Sequence, residues 1–299
     1  MSPDSRIETV LVCGGGVMGN GLAHVAALGG YATLLYDAAP GAGEKALALI
    51  ERNLQKGVER GKVEAGEKEA ALSRLEIVPD LPAAAARAQF VIEAIPERID
   101  LKAELFRSLD AHCPEGAVLA TNTSALSITE IAAFTERPES VIGMHFFNPA
   151  HIMRLVEVIR GLETSERAVE ATFEVARRMG KTPVRVNESP GFATSRVNAL
   201  IGNEAFFMLQ EGVASAEDID TSLKLGLNHP MGPFELGDLV GLDTRLSVLR
   251  HLHRTLGEKF RPCPLLEKYV LAGRLGRKSG KGVYAYDEEG NRLPAPPPA

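Results

Sequence analysis

Through the first half of the chain, short apolar runs alternate with longer segments whose apolar residues recur every three or four positions. The runs "IETVLVC", "YATLLYD", "RLEIV", "QFVIEAI", "GAVLAT" and "SVIGMHF" are rich in β-branched and aliphatic residues and read as strands. The intervening segments read as helices. An alanine- and leucine-rich stretch follows "IETVLVC", residues 43–62 carry Leu47, Ile50, Leu54 and Val58 on one stripe, and "ERIDLKAELFRSLDAHC" continues the alternation. Strands alternating with helices predict an α/β fold, a Rossmann-type doubly wound and mostly parallel sheet.

The second half changes pattern. In "NESPGFATSRVNALIGNEAFFMLQEG", Ser189 suits the N-cap and Pro190 the first position of a long helix ending near Gly212. Residues 216–275 stay helical in pattern, with turns at "NHPMGP" and "GEKFRPCP". The expectation is two domains, a sheet domain over 1–188 and an all-α domain over 189–299, with the proline-rich tail "RLPAPPPA" disordered.

The turn after the first strand adds chemistry. Gly14-x-Gly16-x-x-Gly19 joins a strand to a helix, as a dinucleotide fingerprint does: one glycine for the tight turn, one for backbone approach to a pyrophosphate, one for helix-on-strand packing. The second strand ends in Asp37, placed to hold the ribose hydroxyls, and no arginine follows it, which favours NAD over NADP.

A formal charge of -6 on 299 residues leaves no general attraction for nucleic acid or an anionic membrane. Three scattered cysteines indicate neither a disulfide framework nor a zinc knuckle, no apolar stretch reaches the roughly 18 residues of a membrane span, and no leader-like start is visible, so a cytoplasmic chain is expected. One local exception stands out. Lys45, Arg52, Lys56 and Arg60 gather opposite the apolar stripe of 43–62 and read either as a phosphate-binding ridge or as a solvated face.

Ligands of such sheets bind outside the carboxyl ends of the strands, where three polar groups fall: Glu93 with Glu97, "NTS" at 122–124, and His145. If "SVIGMHF" and "LVEVI" pair antiparallel across the "NPAHIM" connection, Glu157 meets His145. A carboxylate on one ring nitrogen fixes the tautomer and leaves the other to take a proton from a substrate hydroxyl. Beside a nicotinamide, that arrangement oxidises an alcohol. The remaining histidines have no constellation with metal spacing, so no metal is expected.

"GGGVMG", "NTSALSITEIA", "GMHFFNPAHIMRLVEVI", "ESPGFATSRV", "HPMGPFELGDLVGLD" and "GRKSGKGVYAYD", in order over roughly residues 7–286, closely resemble the L-3-hydroxyacyl-CoA dehydrogenase family, in its short form the 3-hydroxybutyryl-CoA dehydrogenases. The resemblance implies His145 as general acid/base with Glu157 orienting it, and Ser124 on the substrate's 3-oxygen and against the cofactor. It further implies Glu97, Lys102, Asn148 and Lys278 along the NAD site, Lys56 or Arg60 on the coenzyme A phosphates, and a homodimer formed through the helical domain. One position departs from the family, which commonly has asparagine in PGF-x-x-N-R. Here it is Ser195, leaving the substrate-side hydrogen bond to a shorter hydroxyl, a bridging water, or Asn198 one turn on.

The leading expectation is NAD-dependent interconversion of a short L-3-hydroxyacyl-CoA and its 3-keto form. Two readings compete with it: a dehydrogenase of a free hydroxy acid of the L-gulonate or carnitine type, where the basic ridge has no task, and a non-catalytic NAD-binding structural protein.

Overall fold

In the computed structural model, which describes residues 7–294, the apolar runs before Phe192 assemble into one eight-stranded sheet. Its strands are β1 (Thr9–Cys13), β2 (Ala32–Tyr36), β3 (Leu75–Ile77), β4 (Phe90–Glu93), β5 (Val118–Thr121), β6 (Val141–Phe146), β7 (Leu155–Arg160) and β8 (Thr182–Asn187). The spatial order is β3-β2-β1-β4-β5-β6-β7-β8. Its first six members follow the dinucleotide-binding order, and the strand order reverses between β1 and β4. Every pairing is parallel except β6 with β7.

Seven helices connect these strands: α1 (Val17–Leu28), α2 (Ala42–Glu59), α3 (Ala65–Ser73), α4 (Leu81–Ala85), α5 (Ile99–His112), α6 (Ile128–Ala132) and α7 (Glu166–Arg178). Val10, Val12, Ile92 and Met144 face a core shared with residues of α1, α2 and α7. Leu11, Cys13, Val91 and Leu119 face the opposite core, shared with α5 and α6. Burial of both faces explains why the central strands read as unbroken apolar runs. β8 differs, being largely exposed at the sheet edge with Pro183 in it, and so had no apolar signature to betray it.

The second unit begins at Ala193. It contains α8 (Thr194–Glu211), α9 (Ala216–Gly226), α10 (Pro233–Val240), α11 (Leu242–Leu256) and α12 (Pro264–Leu271), around Phe206, Phe234, Leu242, Leu249 and Phe260. After α12 the chain has no further α-helix among the described residues; it makes one 3-10 turn, Arg277–Ser279, and isolated antiparallel bridges between Gly276 and Lys281, Lys281 and Ala285, and Tyr286 and Arg292. Two buried carboxylates join the pieces. Asp220 accepts from the amides of Phe234 (2.8 Å) and Glu235 (3.1 Å) and from Tyr284 Oη (2.7 Å). Asp238 accepts from the amides of Val283 and Tyr284, both at 2.9 Å.

The helix expected from Ser189 starts at Thr194 instead. Gly191 and Phe192 hold left-handed backbone, φ 75° and 49°, and turn the chain before the helix can begin. The cause is the Phe192 side chain, which joins the apolar core of the first unit. The division between units therefore lies beyond Ser189. Likewise α2 stops at Glu59, with Arg60 as its C-cap and Gly61 left-handed behind it. Among the described residues no helix is long and apolar enough to cross a membrane. Residues 295–299 of the proline-rich tail lie outside the described residues.

Candidate active site

The carboxyl edge of the sheet gathers the polar groups. Gly14 follows β1 with φ 105°, its amide donating to the Tyr36 carbonyl (2.7 Å). A Cβ there would lie 2.6 Å from the Ala94 carbonyl, so only glycine fits. A Cβ on Gly19 would sit 1.6 Å from the Gly14 carbonyl, which is how α1 packs so close to the turn. Gly16 is different. A Cβ there meets no protein atom within 4 Å, and as N-cap of α1 it satisfies no helix amide with a side chain. Open space before uncapped helix amides is the cradle that a pyrophosphate fills.

A cleft of about 730 Å³ opens from this turn, lined by Gly14, Gly16, Asp37, Leu81, Leu101 and Leu105 among others. Asp37 accepts from the amides of Gly15 (2.6 Å) and Ala39 (2.7 Å), so its carboxylate is fixed at the cleft wall. The α5 face of the cleft, with Leu101, Leu105 and Ser108, went unnamed in the sequence although the 4,3 spacing was there to read. A larger cavity of about 1140 Å³ lies among Arg107, Gly116, Ser140 and Arg167. It adjoins the amino ends of β5 and β6, the edge where such sheets do not bind their ligands.

At the end of β4, Glu93 is fully buried and receives Lys102 Nζ (2.5 Å) and Thr121 Oγ1 (2.6 Å). Lys102 also lies 3.4 Å from Glu97, and Glu97 Oε1 accepts from Thr123 Oγ1 (2.5 Å) and the Ser124 amide (2.9 Å). Lys102 is itself 1% exposed, so its ammonium acts beneath the "NTS" turn, holding Glu97 while Glu97 shapes the turn. Ser124 stays exposed, its Oγ 3.4 Å from Glu97. Asn122 Oδ1 accepts from the Phe146 amide (2.9 Å), which ties this turn to the end of β6.

The antiparallel register of β6 and β7 places His145 directly opposite Glu157. His145 Nδ1 lies 2.9 Å from Glu157 Oε2, with the two side chains 8% and 0% exposed. Since a carboxylate accepts only, Nδ1 carries the hydrogen, and in the neutral imidazole Nε2 keeps its lone pair. The rings of Phe147 and Phe192 flank the imidazole at 4.6 and 5.7 Å and were not foreseen as its neighbours.

Asn148 is exposed in the connection after β6. Lys56 in α2 and Arg60 at its end are exposed, as are Lys45 and Arg52, and none of the four makes an ion pair with a described residue. In the second unit, Ser195 and Asn198 occupy the first turns of α8, and Lys278 Nζ pairs with Asp243 at 2.6 Å. Among the described residues no three His, Cys, Asp or Glu side chains gather as a metal site.

Residues 9–189 match the family model for the NAD binding domain of 3-hydroxyacyl-CoA dehydrogenase, and residues 191–286 the model for its C-terminal domain. The probable 3-hydroxybutyryl-CoA dehydrogenase of Bacillus subtilis is 49% identical, over 95% of this chain and 99% of that one. The 3-hydroxybutyryl-CoA dehydrogenase of Clostridioides difficile is 44% identical, over 93% and 99%. Among solved structures, (S)-3-hydroxybutyryl-CoA dehydrogenase PaaH1 from Ralstonia eutropha superimposes with a TM-score of 0.92 at 41% identity, covering 95% of this chain and all of that one.

Proposed function

The chain belongs to the 3-hydroxyacyl-CoA dehydrogenase family, and on that premise we propose that it interconverts a short L-3-hydroxyacyl-CoA and the 3-ketoacyl-CoA with His145 and Glu157 as its acid/base pair. The observation that carries the reading is the 2.9 Å contact between His145 Nδ1 and a fully buried Glu157, at the strand edge that holds the glycine cradle. NAD, when bound, supplies the hydride acceptor. The cradle suits its pyrophosphate through Gly14, Gly16 and the amides of α1, and Asp37 suits the adenosine ribose.

In the oxidative direction His145 Nε2 takes the proton of the substrate's 3-hydroxyl as the hydride leaves the same carbon. Glu157 stabilises the imidazolium so formed and holds the ring in the tautomer that presents Nε2. Ser124 Oγ donates to the 3-oxygen, and Glu97, fixed by Lys102, keeps the "NTS" turn in place. By the family resemblance Asn148 lines the NAD site. The same resemblance assigns the substrate-side hydrogen bond to Ser195 or Asn198 and a cofactor contact to Lys278.

Lys56, Arg60 and their neighbours, exposed and without an ion pair among the described residues, suit the coenzyme A phosphates. In the helical unit, Leu225, Leu227 and Leu271 are 82%, 65% and 86% exposed, apolar surface that pairing into a homodimer would cover. The protein acts in the cytoplasm, a setting that suits its free, buried cysteines. The test is NADH oxidation with acetoacetyl-CoA, beside free acetoacetate and with NADPH as control. Turnover confined to the thioester with NADH is the expected result. Turnover of free acids alone would replace the reading with a hydroxy-acid dehydrogenase, and NADH binding without any turnover with a non-catalytic protein.

A further inference from the structure

The connection between β6 and β7, residues 147–154, begins two residues after His145 and carries Asn148. Its ends are tied by backbone: the Phe146 amide to Asn122 Oδ1, and the Thr182 amide to the Arg154 carbonyl at 2.8 Å. Its middle is held by a side chain that the reaction does not use. Lys181, 9% exposed, directs Nζ to the carbonyls of Ala150 (2.5 Å) and Met153 (2.9 Å). The lysine is itself anchored, its amide on the Ala176 carbonyl at the end of α7 (3.0 Å), one residue before β8.

From below, α1 supports the same segment. A side chain at Gly21 would meet the Ala150 methyl at 3.0 Å, and His24 stacks on His151 with ring centroids 5.2 Å apart and planes 10° apart. A buried lysine ordinarily finds a carboxylate. No ion pair to Lys181 exists among the described residues, and burial holds its ammonium down to about 8. A costly buried cation is thus placed on two turn carbonyls beside the reacting groups.

We propose that Lys181 is a positioning residue: by bonding the Ala150 and Met153 carbonyls it holds the 147–154 connection in the shape that sets Asn148 in the NAD site. The inference rests on the assignment of Asn148 to the cofactor site made above. A displacement of about 1 Å in a positioning element costs on the order of 100-fold in rate, so loss of the clamp reads out at the cofactor as well as in stability.

The test is a double-mutant cycle of Lys181→Met with Asn148→Ala, read by NADH affinity from its fluorescence, by kcat with acetoacetyl-CoA, and by thermal midpoint. Lys181→Met is expected to weaken NADH binding and lower kcat by roughly 10- to 100-fold. In the Asn148→Ala background the same change is expected to have little further effect on NADH affinity. If the two effects add in full, or if Lys181→Met lowers only the thermal midpoint, the lysine merely satisfies two carbonyls and the proposal is overturned. Should Lys181→Met not fold, Lys181→Gln, which keeps a donor for one carbonyl, is read in the same cycle. An unmodified protein that binds NADH but does not turn over the thioester would overturn the substrate assignment, while the cycle in NADH affinity still decides the role of Lys181.

Discussion

Two side chains carry the proposed chemistry at the scale of single residues, and they are expected to respond differently to substitution. His145→Ala removes the proposed proton carrier while leaving the glycine cradle whole. Turnover is expected to fall by about 100- to 10,000-fold with NADH affinity retained; steady-state rates and NADH fluorescence check both halves, and a rate near the unmodified one removes His145 from the reaction. Glu157→Gln keeps an acceptor for Nδ1 but loses the charge that supports the imidazolium. A charge-assisted hydrogen bond is worth about 1.5–3 kcal/mol, so kcat is expected to drop roughly 10- to 150-fold in a folded protein. An unchanged kcat would reduce Glu157 to a core residue. His145 was legible as a candidate from its position after an apolar run, but Phe147 and Phe192 as its neighbours were not. Which rings surround an imidazole depends on how distant strands and turns pack, and Phe192 looked like part of a helix that starts two residues later.

Elements show most clearly where glycine acts for the fold and where for a ligand. Gly19→Ala drives a methyl into the Gly14 carbonyl and is expected to lower the thermal midpoint of the cofactor-free protein. Gly16→Ala has room on every side, at φ -65°, and is expected to leave that midpoint unchanged while weakening NADH, because the methyl enters the space the pyrophosphate needs. Equal thermal midpoints for the two variants would contradict the packing role of Gly19. On the same helix, His24 is 4% exposed and burial pushes its imidazole down to about 4 from 6.5, with the charges of His151 and Lys181 adding to the effect. The folded state then binds fewer protons than the unfolded chain between those values. Stability is full above about pH 6.5 and is lost as pH falls toward 4, by about 3 kcal/mol at the limit. Urea midpoints at neutral pH and at about pH 4.5 are expected to differ less in His24→Leu than in the unmodified protein, and equal differences would mean that another group governs the acid limb. The alternation of strands and helices was legible because each central strand is buried on both faces. β8 escaped notice because an edge strand with one proline and mostly exposed residues presents no such run.

For the whole molecule, the exposed leucines of α9 and α12 set the expectation that light scattering gives twice the chain mass of 32.0 kDa. A monomer at micromolar concentration would leave those residues to another partner. The sequence alone determined what is local or periodic: the strand-glycine-helix turn, Asp37 at the end of the second strand, the sheet class, and the motif strings that place the chain in its family. These depend on backbone sterics and burial periods that a short window already contains. Only the tertiary structure decided what depends on register and on contacts between distant segments. It set His145 opposite Glu157 through the one antiparallel pairing in the sheet, turned Lys102 inward onto Glu93, moved Phe192 into the first unit, and laid Lys181 across the connection beside the reacting pair. Of these, the meeting of His145 and Glu157 was legible only on condition of an antiparallel pairing, and the others join residues whose separation in the chain carries no signal, because their free energy is gained only when the packed structure brings them together.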